Sequence, residues 1–180
     1  MPDFSALFQP AKIGSLELAN RLVMPAMASQ LPEPDGRLSE RLLDYYRARA
    51  RGGVGLIIPA YAAVSDDCPL MFNMGIYDDN FIGDWQRLIA SIHEYDVKVG
   101  IQLMHVGMLY LFAGFVPKGA SMKVPSELPL IPPDIPYEVV GSEDIERYID
   151  DFAQAARRAK QAGADLVEIH SCHGSLAGMF

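Results

Sequence analysis

Four histidines, two cysteines and a glutamine inside an apolar run are the residues of this 180-residue chain that could do chemistry. His170 and His173 stand at His-x-x-His spacing just after an apolar run. Two such imidazoles can hold one oxygen atom or contribute to a metal site. No His-Glu-x-x-His helix is present and no third ligand is evident nearby, so metal ligation is not expected. Gln102 lies within the apolar run that ends at His105. Its amide could satisfy backbone groups, or donate and accept at the edge of a heterocycle. His93 sits in a helical pattern and reads as a surface residue. Cys68 and Cys172 are far apart and neither belongs to a Cys-x-x-Cys pair, which disfavours a zinc finger or a disulfide scaffold. Free thiols suit a reducing, cytoplasmic compartment.

The elements that must position these residues alternate. Residues 13–18, with Gly14-Ser15 between apolar flanks, read as a hairpin leading into a strand at 21–27. Ser39 can cap a helix with Leu42, Tyr45, Tyr46 and Ala50 on one face, stopped by Gly52-Gly53. A continuous apolar strand follows at 54–58, then a helix after Asp79 with Phe81, Trp85, Leu88 and Ile92 as its stripe. The third strand is placed at 97–103. A long loop holds six of the thirteen prolines between 117 and 136. Ser142 is expected to cap the last helix, Gly163 to end it, and residues 165–169 to form the fourth strand. The order β-α-β-α-β-α-β predicts a parallel sheet, either doubly wound or a (β/α) barrel. No Gly-x-Gly-x-x-Gly follows a strand and no Walker lysine is present, so a nucleotide-binding open sheet lacks its usual support. In both architectures chemistry gathers at the carboxyl ends of strands, where His105, His170 and His173 fall.

Composition excludes other classes. Half of the residues are hydrophobic, which supplies a core and rules out global disorder. The formal charge of −8, from 23 acidic and 15 basic residues, argues against nucleic-acid binding. The uncharged run 99–116 is interrupted by glycines, Gln102 and His105 and reads as a buried strand and apolar loop, so no membrane association is expected.

These residues also carry a resemblance. The runs Leu7-Phe8-Gln9-Pro10, Asn20-Arg21-Leu22-Val23-Met24 and Gly53-Val54-Gly55-Leu56-Ile57-Ile58 are typical of the old yellow enzyme family. So are Gln102-Leu103-Met104-His105-Val106-Gly107, Pro125-Ser126, and the segment from Ala162 to His170. The chain resembles the N-terminal half of these FMN-dependent NAD(P)H:flavin oxidoreductases, closest to the 2,4-dienoyl-CoA reductase and enoate reductase branch. The resemblance implies an (β/α)8 TIM barrel, with residues 1–180 as the N-terminal half of one FMN-binding domain covering about four β/α units. It implies FMN, NADH or NADPH as reductant, and an activated alkene (enone, enoate or enoyl-CoA type) reduced by hydride from flavin N5. An iron–sulfur cluster and FAD are implied only for a longer parent chain. By position, Pro25, Ala26 and Met27 would lie along the flavin, Tyr61 would offer backbone at a second strand end, and Gln102 would bond the pyrimidine edge. His170 and His173 would hold the substrate oxygen and stabilise the charge that grows on it, His170 also lying against the cofactor.

The departures carry expectations too. Ala28 stands where Thr or Cys commonly tunes the flavin, and Met108 where Arg is frequent. Ser175 replaces the tyrosine that protonates carbon opposite the hydride; a serine hydroxyl is too weak an acid and too short to take over. Four barrel strands would leave two open edges, with Leu22, Met24, Ile57, Ile101 and Val167 expected to face an unfilled interior. The corresponding alternative is an inert half-barrel that forms a homo-oligomer or needs a complementary C-terminal half, and that holds FMN weakly.

Overall fold

The computed structural model describes residues 3–68, 73–109, 111, 121–132 and 134–180. Strands β1 (Ala11–Ile13) and β2 (Leu16–Leu18) form the expected antiparallel hairpin, closed by Gly14 at φ +59°. The main chain then runs β3 (Val23–Met24), α1 (Glu40–Arg51), β4 (Leu56–Ile57), β5 (Ala62–Ala63), α2 (Ile82–His93), β6 (Lys98–Met104), β7 (Met122–Val124), β8 (Tyr137–Val139), α3 (Ser142–Ala162) and β9 (Leu166–Ile169). Local chemistry sets the helix ends. Ser39 Oγ accepts the Leu42 N–H at 3.0 Å, and Asp78 Oδ1 accepts the Asn80 N–H at 2.8 Å ahead of a single 3₁₀ turn that runs into α2. At α3 the cap is Gly141, not Ser142; the Asp144 carboxylate reaches back to the Gly141 N–H at 3.0 Å, and that acceptor displaces the serine from its expected role.

All pairings in the main sheet are parallel, and the strands lie side by side in chain order: β3, then β4 and β5, then β6, then β9. An open doubly wound sheet reverses its strand order and carries helices on both faces. Here α1, α2 and α3 share one face. Leu42, Tyr46, Trp85, Leu88, Ile92, Ala155 and Ala159 form a single buried cluster with Ile57, Val99, Ile101 and Leu103. The fold is therefore an arc of a (β/α) barrel. The β1–β2 hairpin packs against the opposite face, where Leu18 is buried with Leu56 and Ile58, and Ala26 and Leu166 pack on.

This geometry corrects one expectation. Met24, Ile57 and Ile101 point at the helices rather than into the barrel. Side chains alternate along a strand, so the interior face carries Leu56, Ile58, Gln102, Leu166 and Glu168. Val167, paired in register with Ile101, belongs to the outer face and is exposed there. Pairing also occurs where a loop was expected: β7 and β8 run parallel across the proline-rich stretch, burying Met122 and Val124 against Tyr61, Met104 and Val106. A three-residue strand alternating Met-Lys-Val is too short for periodicity to register. Residues 110, 112–120 and 133, in and just before the proline-rich stretch, lie outside the described residues. No helix among the described residues is long and apolar enough to cross a membrane.

Candidate functional site

Strands β6 and β9 form the scaffold of the site. Their register pairs Gln102 with Glu168, so both project onto the interior face, and the Gln102 amide donates to the Glu168 carboxylate. His170 is two residues beyond Glu168 and continues on that face. Its N–H still bonds the Leu103 carbonyl at 3.0 Å, which ties the first residue after β9 to the sheet. Burial, and then the neighbouring His173, push the His170 imidazole below its ordinary pKa. Its Nδ1 is buried without a hydrogen-bond partner among the described residues.

The loop after β9 turns sharply to bring side chains together. His173 adopts φ +55°, uncommon for a residue with a Cβ, and Gly174 follows at +77°. The turn places His173 Nδ1 3.3 Å from His170 Nε2. Cys172, exposed, joins them: its Sγ is 3.3 Å from His173 Nδ1 and 3.7 Å from His170 Nε2. The expectation that the histidine pair has no third ligand nearby is thereby corrected. The residue was visible in the sequence as His-x-Cys-His, but it fits none of the standard zinc spacings used as templates.

The loop after β6 supports this turn from beneath. The Met108 N–H bonds the Gly174 carbonyl at 2.8 Å and the Leu176 N–H bonds the His105 carbonyl at 2.9 Å. Gly107, at φ +55°, is where the loops meet; a Cβ there would stand 2.6 Å from Leu176 N and 2.7 Å from Gly174 O. Ser175 is fully buried and its hydroxyl donates to the His170 carbonyl at 2.7 Å.

His105 follows β6 as expected but does not belong with the other two. It is buried, its Nδ1 accepts the Gly107 N–H at 3.2 Å, and its Nε2–H therefore donates to Asp67 Oδ1 at 3.1 Å. Asp67 also accepts from Tyr148 at 2.7 Å and from Arg147 at 3.1 Å. Burial alone would raise the Asp67 carboxyl, but hydrogen bonds from His105, Tyr148 and Ser65 outweigh it and hold the group well below the usual carboxylate range. Burial pushes the Cys68 thiol up to about 12, so this cysteine is a packing residue. His93, at the end of α2, bonds Asp165 at 2.8 Å on the surface, as its helical pattern suggested.

The remaining sequence candidates divide in two. Pro25 and Met27 are exposed just past β3, with Ala26 half-buried between them. Tyr61 is buried, its ring packed with Cys68 and Met104.

Residues 6–180 match the family model described as the NADH:flavin oxidoreductase / NADH oxidase family. The NADH oxidase of Thermoanaerobacter brockii is 36% identical over 192 residues, covering 100% of this chain and 28% of that protein. The NADPH dehydrogenase of Bacillus subtilis is 34% identical over 178 residues, covering 97% of this chain and 50% of its own length. Among solved structures, Old Yellow Enzyme from Pichia sp. AKU4542 superposes with a TM-score of 0.82 at 28% identity, over 95% of this chain and 47% of that one. Morphinone reductase superposes with a TM-score of 0.80, also at 28% identity, over 95% and 49%. The chain thus spans between about a quarter and a half of the length of these relatives.

Proposed function

This chain belongs to the NADH:flavin oxidoreductase / NADH oxidase family, and on that premise we propose that the whole protein reduces an activated carbon–carbon double bond, taking its electrons from NADH or NADPH. FMN, when bound, supplies the hydride at its N5. The residues present fit a flavin. Gln102, with one N–H engaged by Glu168, offers its second N–H and its carbonyl on the interior face, His170 keeps a buried nitrogen without a partner among the described residues, and Pro25–Met27 leave strand-end backbone open. Tyr61 keeps its side chain in the core, which leaves only its backbone to offer.

The observation that carries the reading is the 3.3 Å separation of His170 Nε2 and His173 Nδ1 on an exposed turn. The two rings bond each other in this structure; once a substrate oxygen replaces that contact and both nitrogens carry a proton, two N–H groups at this spacing both reach the oxygen at hydrogen-bonding distance. Held there by a strained backbone, they stabilise the enolate-like charge that develops on an enone, enoate or enoyl-CoA carbonyl as hydride arrives at the β-carbon. Ser175 takes no part in proton delivery, because its hydroxyl is buried and already committed to the His170 carbonyl. The proton comes from solvent or from another group. The test is anaerobic: full-length protein loaded with FMN is reduced with NADPH and mixed with a cyclic enone. Flavin colour returning on mixing supports the reading; flavin that stays bleached overturns it.

A second reading concerns residues 1–180 by themselves: a half-barrel domain that completes its fold against a second half or another copy. It is favoured by an apolar groove of about 400 Å³ between α3 and β9, lined by Ile145, Ile149, Phe152, Ile169, Leu176 and Phe180. Strands β3 and β9 each pair on one side only among the described residues. Analytical ultracentrifugation of residues 1–180 with an FMN titration decides it: a monodisperse monomer that holds FMN tightly sinks this reading.

A further inference from the structure

The tripod at the turn after β9 carries more than an oxygen site. His170 Nε2, Cys172 Sγ and His173 Nδ1 are mutually 3.3, 3.3 and 3.7 Å apart. A tetrahedral zinc ion with nitrogen ligands at about 2.0–2.1 Å and sulfur at about 2.3 Å separates its ligand atoms by about 3.3 Å for two nitrogens and about 3.6 Å for nitrogen and sulfur. The nitrogen pair, at 3.3 Å, stands at its separation, and the two sulfur–nitrogen distances, 3.3 and 3.7 Å, bracket theirs. Residues at i, i+2 and i+3 of an extended chain would not converge; the left-handed backbone at His173 helps bring them together.

The donor set selects the metal. Two imidazoles and a thiolate suit zinc and exclude magnesium and calcium, which want oxygen ligands. Cys172 and His173 are exposed, so an ion has a path to the site and the fourth position faces water. The buried His170 Nδ1 has no hydrogen-bond partner among the described residues. Closed structural zinc sites provide such a partner. A three-ligand site without it binds reversibly.

We propose that His170, Cys172 and His173 form an exchangeable zinc site whose occupation shuts off the oxygen-binding pair. The second half rests on the function proposed above. An imidazole nitrogen that ligates zinc presents a lone pair to the metal and has no proton left to donate to a carbonyl oxygen. The ion and the substrate oxygen therefore compete for the same two nitrogen atoms. Binding releases the Cys172 thiol proton to solvent, and the ligating histidines keep their remaining proton on the opposite nitrogen. Cys172 touches both nitrogens but supplies no donor that the oxygen-binding role calls for, and the metal gives this thiol a purpose the alkene chemistry does not.

The test uses full-length protein and two separate readouts. Apoprotein is titrated with Co²⁺ as the spectroscopic stand-in, then with zinc by calorimetry. One ion per chain is expected, with visible cobalt d–d bands of a tetrahedral site and a thiolate-to-cobalt transition. Cys172→Ala should weaken binding by about 10-fold or more and abolish the thiolate transition. Cys172→Ser, which keeps the side-chain size, should do the same and guards against a packing artefact. FMN-loaded protein is then assayed by enone reoxidation with and without zinc; wild type should be inhibited and both Cys172 variants resistant. No stoichiometric binding, or binding indifferent to Cys172, overturns the site. Binding that leaves enone turnover untouched overturns the competition. Metal-free protein that cannot pass electrons to an enone instead overturns the proposed function, while the cobalt and calorimetric results still decide the metal site.

Discussion

The loops after β6 and β9 both begin with a histidine at the carboxyl end of a parallel strand, yet they do opposite work. His105 is buried, both ring nitrogens are engaged, and its acceptor Asp67 is shared with Tyr148 and Arg147. His170 and His173 are left with an unpartnered nitrogen, an exposed partner thiol and a strained turn. The first loop uses its polar groups for stability and the second holds them in reserve. A fully satisfied polar network rigidifies whatever rests on it. The His105 loop rests directly beneath the His170–His173 turn, through two backbone hydrogen bonds and the contact at Gly107. The difference teaches that one histidine serves as the foundation on which the other two, the proposed oxygen-binding pair, are held.

Gly107→Ala strikes the joint between the loops and should have the largest effect. The new methyl group meets backbone atoms at 2.6 and 2.7 Å, and residue 107 must hold φ +55° with a Cβ. The left-handed conformation costs about 1–2 kcal/mol, and the overlap about 1–3 kcal/mol. Urea denaturation should show destabilisation of that combined order. Enone turnover should fall as well, because the turn carrying His173 is pushed away. An unchanged unfolding midpoint would mean that the two loops are not coupled as described.

His173→Ala separates site from foundation. It should slow flavin reoxidation by an enone by about 10²-fold, the scale of losing one oxyanion donor. The unfolding midpoint should hardly move, since the imidazole is exposed and removing it relieves no packing. Stopped-flow of the two half-reactions checks the assignment: reduction of the flavin by NADPH should suffer less than its reoxidation.

Asp67→Ala makes the reverse case. It leaves His105, Tyr148 and Arg147 without their common acceptor and should cost about 2 kcal/mol of stability, near the middle of the range for stranded buried polar groups. The pH dependence has a definite sign. A carboxyl held below its ordinary value contributes stability that is present above the unfolded-state pKa, about 3.9, and lost as pH falls beneath it. Wild type should therefore lose stability below about pH 4, and Asp67→Asn should lose less of it over the same interval. Equal slopes for the two proteins would remove Asp67 from the foundation.

The contrast between the loops was only half legible in the sequence. The alternation of elements, the hairpin at Gly14 and the helix cap at Ser39 rest on local chemistry, and the structure bears them out. What makes His105 structural is its environment, and that environment is distant in the chain: Asp67 lies 38 residues away and Tyr148 closes the network from a further element. No local pattern around His105 distinguishes it from His170. Cys172 failed to stand out for the opposite reason. Its neighbours are adjacent in sequence, but only the left-handed turn at His173 makes a tripod of them. The face of β4 is illegible because its two apolar residues carry no alternation, whereas β6 does alternate, with Lys98, Gly100 and Gln102 opposite Val99, Ile101 and Leu103, and that pattern turns Ile101 toward the helices.

Ser175→Ala is the finest probe, because this residue belongs to the turn yet acts like a member of the foundation. Its hydroxyl is fully buried and donates at 2.7 Å to the His170 carbonyl, so it braces the backbone on which both imidazoles stand. Removing it forfeits one neutral hydrogen bond, worth about 1 kcal/mol, and leaves a cavity no larger than one oxygen atom. Stability should fall by about that amount, seen as a small shift of the urea midpoint. Enone reduction should stay within a few-fold of wild type, since a hydroxyl already bonded to a carbonyl and closed off from water has no route for its proton to a carbon at the barrel mouth. The solvent isotope effect sharpens the point. If proton delivery comes from elsewhere, wild type and Ser175→Ala should show the same effect on reoxidation. A large loss of the oxidative half-reaction in Ser175→Ala, with an altered isotope effect and an intact fold, would move the serine from bracing to chemistry and erase the line drawn between the two loops.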